Sequence, residues 1–232
     1  TGNIVEDCLV DNVIVDTTGY YASCAGIASY AADYRSGYSR LIRRCGVTNC
    51  HIGGNSRKSA GLIEYVADYT VEDCYVNNTH TAISGTGVVN SGFVGTPQST
   101  ATFRRCYLAA STSTNSTQAF APKTGTYTNC YWPGNRVGTN AGTNITPFSL
   151  MMNASTYVNY NIVAVANENT RNTNYVWNIV EGSSFPFHSW TTPPPPEFFS
   201  AITIDGVGVT GCTIDGTPVT KITIDSITVY EA

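Results

Sequence analysis

The chain has 232 residues, and 12 Lys and Arg against 16 Asp and Glu leave a formal net charge of −4. Only 12% of residues are charged, which argues against a basic grip on nucleic acid, and no run of 18 apolar residues offers a membrane-spanning helix. With 32 Thr, 20 Asn and 21 Gly against 3 Lys and 2 Met, the composition favours strands and turns over helices. The first residues already read as the middle of a repeat with no signal peptide before them. We therefore expect a mature form or a fragment.

Five segments align without gaps along the first 132 residues. They are Val5-Glu6-Asp7-Cys8-Leu9-Val10, Ile42-Arg43-Arg44-Cys45-Gly46-Val47, Val71-Glu72-Asp73-Cys74-Tyr75-Val76, Phe103-Arg104-Arg105-Cys106-Tyr107-Leu108 and Tyr127-Thr128-Asn129-Cys130-Tyr131-Trp132. The Cys-to-Cys steps are 37, 29, 32 and 24 residues. A looser motif lies between them: Ala25-Gly26-Ile27-Ala28, Ala60-Gly61-Leu62-Ile63, Ser91-Gly92-Phe93-Val94-Gly95 and Gln118-Ala119-Phe120-Ala121. Each unit thus offers two short strands joined by loops rich in Gly, Ser, Thr and Asn.

Within the first motif, positions −3, 0 and +2 relative to Cys are apolar and positions −2 and −1 are polar. Two successive polar positions break strict strand alternation and predict a bend or bulge between −3 and 0. The −2/−1 pairs read Glu-Asp, Arg-Arg, Glu-Asp, Arg-Arg and Thr-Asn along the chain. If successive units stack as parallel strands about 4.8 Å apart, acid meets base between neighbours, and registers that juxtapose like charges are penalised. The expected fold is all-β: a parallel β-helix or solenoid of about five coils, each burying its apolar face only against its neighbours, with a small C-terminal β domain. Its structural ladder would comprise Cys8, Cys45, Cys74, Cys106 and Cys130 flanked by Glu6, Arg43, Glu72 and Arg104.

Gly61-Leu62-Ile63, Gly92-Phe93-Val94-Gly95 and the Cys-Tyr-Val strands resemble the GLUG-motif repeats of large bacterial surface proteins. The stretch after Cys130-Tyr131-Trp132 resembles the segment that closes such arrays. It runs through Gly138-Thr139, Leu150-Met151, Thr156-Tyr157 and Trp177-Asn178-Ile179-Val180-Glu181-Gly182-Ser183-Ser184-Phe185-Pro186 to Trp190. The resemblance spans about residues 1–190 and implies a β-helical, non-catalytic surface module. Departures are Ala119-Phe120-Ala121, which lacks the glycine, and the uneven length of the first units.

Eight cysteines, Cys8, Cys24, Cys45, Cys50, Cys74, Cys106, Cys130 and Cys212, show no zinc-site spacing. A buried ladder of free thiols and disulfides between coils both remain open. In-register parallel strands aim both side chains the same way, which favours the thiols. Residues 133–190 are expected to close the array, with a short helix or cap at Phe148, Leu150, Met151 and Met152, and with Trp177, Phe185, Phe187 and Trp190 as a plug over the open end. Pro193-Pro194-Pro195-Pro196 marks a linker over residues 191–198. Residues 199–232 read as a small strand repeat with hairpin dipeptides Asp205-Gly206 and Asp215-Gly216, expected to dock on a larger assembly or to self-assemble. Asp205, Asp215 and Asp225 recur every ten residues, and turn formation explains them better than calcium.

No catalytic motif, cofactor site or metal site stands out. A carbohydrate-active enzyme of this shape, a polysaccharide lyase or a tailspike-like hydrolase, would need clustered acids; Glu64 and Asp68 could neighbour Arg35, but a solvated loop explains them better. His51, His80 and His188 lie in ordinary contexts. Tyr75, Tyr107 and Tyr131 follow the inward cysteines and are expected to point outward as a stacked aromatic row; such a row could grip a glycan or protein ligand, but a cross-strand ladder that only stabilises the sheet is the favoured reading. The expected role is a non-catalytic structural or adhesive module, extracellular, on a bacterial cell surface or a virion.

Overall fold

A computed structural model describes residues 3–17, 23–33, 40–54, 58–83, 89–109, 112–113, 120–133 and 141–191, and five strand segments between 202 and 231. The described residues are all-β: the only helical elements are two 3-10 turns, and most sheets are parallel. The chain divides into two compact units, Thr1–Thr192 and Pro193–Ala232. The repeats and the closing segment therefore belong to one body.

The first repeat supplies β1 (Asn3–Glu6), β2 (Leu9–Asp11), β3 (Ile14–Thr17), β4 (Ser23–Ala25) and β5 (Ala28–Ala32). The second supplies β6 (Arg40–Arg43), β7 (Gly46–Thr48), β8 (His51–Gly54), β9 (Lys58–Ala60) and β10 (Ile63–Ala67). The third supplies β11 (Thr70–Glu72), β12 (Tyr75–Asn77), β13 (His80–Ile83), β14 (Val89–Ser91) and β15 (Val94–Pro97). The fourth supplies β16 (Thr102–Arg104), β17 (Tyr107–Leu108) and β18 (Thr112–Ser113), and the fifth β19 (Thr126–Thr128) and β20 (Tyr131–Pro133). Equivalent strands pair in parallel, in the orders β1-β6-β11-β16-β19, β2-β7-β12-β17-β20, β3-β8-β13-β18, β4-β9-β14 and β5-β10-β15. Glu6 registers with Arg43, Arg43 with Glu72, and Glu72 with Arg104, as the alternating charges require.

The bend between positions −3 and 0 is a single left-handed residue at −1. Asp7, Arg44, Asp73, Arg105 and Asn129 have φ between 51° and 55°. Asn and Asp tolerate this region, and the arginines adopt it because the neighbouring repeats impose it. The stack continues through the corner: Arg44 N donates to Glu72 O at 3.1 Å and Asp73 N to Arg104 O at 3.0 Å. The thiol that follows closes the corner by donating to the carbonyl two residues back, as Cys74 does to Glu72 O at 3.2 Å and Cys106 to Arg104 O at 3.3 Å. A second corner of the same kind lies at Asn12, Asn49 and Asn78, followed by Val13, Cys50 and Thr79. The glycine motif has a steric reason: a Cβ on Gly61 would sit 2.0 Å from Gly92 O.

Positions −3, 0 and +2 face inward. Ile42, Val71, Phe103, Cys45, Cys74, Cys106, Cys130, Val47, Val76 and Leu108 make one continuous core with Leu62, Phe93 and Phe120. All seven described cysteines are free thiols, and Cys212 lies outside the described residues. Burial pushes the Cys74, Cys106 and Cys130 thiols well above their ordinary value. The first repeat is less covered, with Ile4, Val5, Leu9 and Ile14 exposed.

The closing segment overturns two expectations. After β20 the chain adds β21 (Thr143–Ile145) to the edge of that sheet, then 3-10 turns at Phe148–Met152 and Ala154–Thr156, β22 (Ile162–Ala164), β23 (Trp177–Ile179) and β24 (Phe187–His188). From the 3-10 turns onward this segment lies across the outer face of the sheet that carries Tyr75, Tyr107 and Tyr131, rather than plugging the end of the stack. These three tyrosines are therefore not an outward row: they are 6%, 0% and 6% exposed. Together with Met151, Tyr157, Tyr160, Trp177 and Ile179 they form a second core. Trp177 sits edge-on to Tyr75 with ring centroids 5.9 Å apart, and Tyr157 edge-on to Tyr131 at 5.6 Å. Gly46 opens space for the Tyr75 ring, which a Cβ there would meet at 2.4 Å. Of the expected plug residues only Trp177 is wholly buried; Phe185 and Phe187 are half-buried and Trp190 stays on the rim.

In the second unit β25 (Ile202–Thr203) pairs in parallel with β28 (Lys221–Ile224), which pairs antiparallel with β29 (Ile227–Glu231). The strands β26 (Thr213–Ile214) and β27 (Thr217–Pro218) pair antiparallel across residues 215–216. Pro193–Pro196, Asp205, Asp215, Asp225, Gly138-Thr139 and Arg35 lie outside the described residues.

Candidate functional site

The left-handed corners project their −1 side chains in a row on one side of the stack. Arg44 clasps Asp7 through Nε and Nη2 at 2.5 and 2.6 Å, and its Nη2 also reaches Glu6 at 3.2 Å. Arg43 meets Glu6 at 2.6 Å. Two repeats on, Arg105 clasps Asp73 at 2.8 and 2.7 Å and reaches Glu72 at 3.2 Å. Arg104, expected to serve Glu72, is its register partner but is exposed, and the guanidinium that reaches Glu72 is Arg105. The corner turns the −1 side chain toward the neighbouring repeat, which gives that position the better reach.

Asp73 is the best-protected member of this row at 7% exposure. Besides Arg105, it accepts from the indole Nε1 of Trp177 at 3.1 Å, and its carbonyl meets His188 Nε2 at 2.8 Å. The closing segment is thus pinned to the third repeat by hydrogen bonds as well as by apolar packing. His188 is fully buried and its Nδ1 finds no partner. Burial pushes its pKa down to about 4, opposed by the Asp73 carbonyl and carboxylate and by Asp7. Since a carbonyl only accepts, His188 carries its proton on Nε2.

Between this row and the closing segment runs a groove of about 540 Å³. Asp7, Arg44, Asp73 and Arg105 form one wall; Asn159, Asn161, residues 173–176 and Ser189-Trp190 form the other. Asn161 braces that second wall, its Oδ1 accepting from Val176 N at 2.6 Å and its carbonyl from Trp177 N at 2.9 Å. Tyr175 and Trp190 remain 37% and 36% exposed at the rim, and Trp190 stacks on His188 with centroids 5.6 Å apart. Periodicity could not have found these two aromatics, because they lie in the aperiodic segment.

The groove is better equipped to bind than to transfer protons. A general acid needs a carboxyl held protonated. The hydrogen bond from Arg44 instead draws the Asp7 carboxyl below its usual range, and Asp73 is met by a guanidinium and an indole. Glu64 is buried away from the groove, accepting from Thr96 at 2.9 Å with Lys58 at 3.5 Å. Asp68 is half-buried at a left-handed bend where its N–H donates to Thr100 Oγ1. Among the described residues no cluster of three or more His, Cys, Asp and Glu could hold a metal ion.

A second aromatic feature lies at β5 and β10, where Tyr30 and Tyr65 stack in register with centroids 4.7 Å apart and Tyr30 is 61% exposed. Each follows the glycine of the looser motif by four residues, a spacing visible in the sequence. Compared with known proteins, the chain matches no family model, no curated protein and no solved structure.

Proposed function

We propose that the repeats wind as a β-solenoid of about five coils, and that the chain is a non-catalytic structural or adhesive module displayed on a bacterial cell surface or a virion. The rigid stack presents the groove, and the groove takes a glycan. The observation that carries this reading is the pairing of exposed Trp190 and Tyr175 with a wall whose charges are already neutralised by one another. A sugar ring offers an apolar face to an aromatic and hydroxyls to amides and ion pairs. The GLUG-like repeats and the GLUG-like closing segment support surface display. Residues 199–232 serve to dock the module on a larger assembly or a second copy, which comparison of the oligomeric state with and without residues 197–232 tests; two monomeric forms would remove the self-association.

The test of the groove is a panel of bacterial and plant glycans, read for both retention and product release. We expect retention without product, weakened at least tenfold by Trp190→Ala in a chain whose circular dichroism is unchanged. Retention unaffected by Trp190→Ala and by Tyr175→Ala would place the ligand elsewhere. Release of product, lost in Glu64→Gln or Asp68→Asn, would favour the second reading, a carbohydrate-active β-helix enzyme.

A further inference from the structure

We infer that His51 and His80 form a two-imidazole site for a first-row transition-metal ion of the copper, nickel or zinc class. Both residues follow the second left-handed corner by two positions, at the starts of β8 and β13, and they are direct register partners on adjacent parallel strands. Being in register on a parallel pair, they leave the same face of the sheet. Their ring centroids are 5.1 Å apart with planes tilted by 35°. An imidazole nitrogen binds such an ion at about 2.0–2.1 Å, which sets the ring centroid about 3.2 Å from the metal, so two rings at angles of roughly 90–110° have centroids about 4.5–5.2 Å apart. The observed separation falls in that interval.

The surroundings suit a cation with open coordination positions. The pair borders a depression of about 260 Å³ lined by Asn49, Asn78, Thr79 and Ile14. Asn78 Nδ2 donates to Asn49 Oδ1 at 2.6 Å, and Asn49 Nδ2 donates to Asp11 Oδ1 at 2.9 Å, so the amide ladder lining the depression ends on the Asp11 carboxylate. Two protein nitrogens with water completing the shell exclude a closed structural zinc site, and imidazole donors exclude magnesium and calcium. Cys50 is no ligand: it is buried and its thiol donates inward to Thr48 O at 3.0 Å.

The full-length, untagged chain is titrated with Ni²⁺ by calorimetry, with Ca²⁺ as control. We expect one Ni²⁺ per chain, no response to Ca²⁺, and affinity at least tenfold weaker in His51→Ala and in His80→Ala. Paramagnetic broadening in the NMR spectrum is expected to strike the ring protons of His51 and His80 first. His51 is exposed, so its replacement leaves the fold intact as judged by circular dichroism. A pair that only stacks would show no Ni²⁺ binding, or binding unchanged by His51→Ala, and either result overturns the site.

Discussion

The indole of Trp177 donates to the carboxylate of Asp73 at 3.1 Å across 104 residues of chain. This bond joins an aperiodic segment to the most periodic part of the molecule. It also fixes the groove, since Asp73 lines one wall and Val176 the other.

Removing the indole tests that attachment. Trp177 is wholly buried against Tyr75, Tyr107, Tyr160 and His188. Trp177→Ala is expected to cost about 3–5 kcal/mol, and to expose Tyr75, Tyr107 and Tyr131 to solvent. Thermal denaturation measures the loss, and tyrosine fluorescence quenching by acrylamide reads the exposure. Unchanged quenching would mean that the closing segment stays in place without its anchor.

Acid is expected to weaken the same attachment. His188 titrates near 4 when folded against an ordinary 6.5, so the unfolded chain takes the proton first. The stability contribution is complete above pH 6.5 and is lost as pH falls from there toward 4, reaching about 3 kcal/mol for a shift of this size. The lowered Asp7 carboxyl acts only at more acidic pH, where its own ordinary value lies. His188→Gln, which keeps a donor for the Asp73 carbonyl, is expected to flatten the melting temperature between pH 7 and 4.5. An equally steep dependence in that variant would assign the effect to other groups.

The thiol ladder predicts silence toward alkylating reagents. Burial raises the pKa of Cys74, Cys106 and Cys130, so they have neither thiolate nor access. Iodoacetamide at pH 8 is expected to spare these three in the native chain and to modify them only after denaturation, as peptide mass mapping resolves. Native labelling of Cys106 would contradict the packing.

Gly61 offers a sharper steric test. A Cβ at this position would meet Gly92 O at 2.0 Å, and backbone cannot yield as a flexible side chain does. Gly61→Ala is expected to destabilise by about 1–3 kcal/mol, lowering the melting temperature by roughly 2–4 °C per kcal/mol for a domain of this size. A neutral effect would mean that neighbouring glycine turns do not touch.

The parallel register was legible because charge and hydrophobicity repeat together: Glu6, Arg43 and Glu72 can align in only one way that keeps Cys8, Cys45 and Cys74 inside. The corner was legible as a bend, while the left-handed conformation of Arg44 and Arg105 was not, since arginine has no intrinsic preference for it. The burial of Tyr75, Tyr107 and Tyr131 was not legible either. Position +1 does point away from the first core, as the motif predicts. Its covering comes from Tyr157, Tyr160 and Trp177, residues whose spacing follows no period and whose partners lie far away in sequence. For the same reason the groove, built from corners on one side and the aperiodic segment on the other, could not be seen in either half alone.

The in-register stacking of repeats is tested most directly by a charge-reversal cycle at Asp7 and Arg44, two left-handed corner residues whose clasp spans 37 positions. Because both occupy the same backbone conformation, exchanging them cancels any conformational cost. Asp7→Arg and Arg44→Asp are each expected to lower the melting temperature, and the double variant to recover most of the loss, with a coupling of about 1 kcal/mol for a half-exposed pair. Strictly additive losses, with no recovery in the double variant, would contradict the stacking.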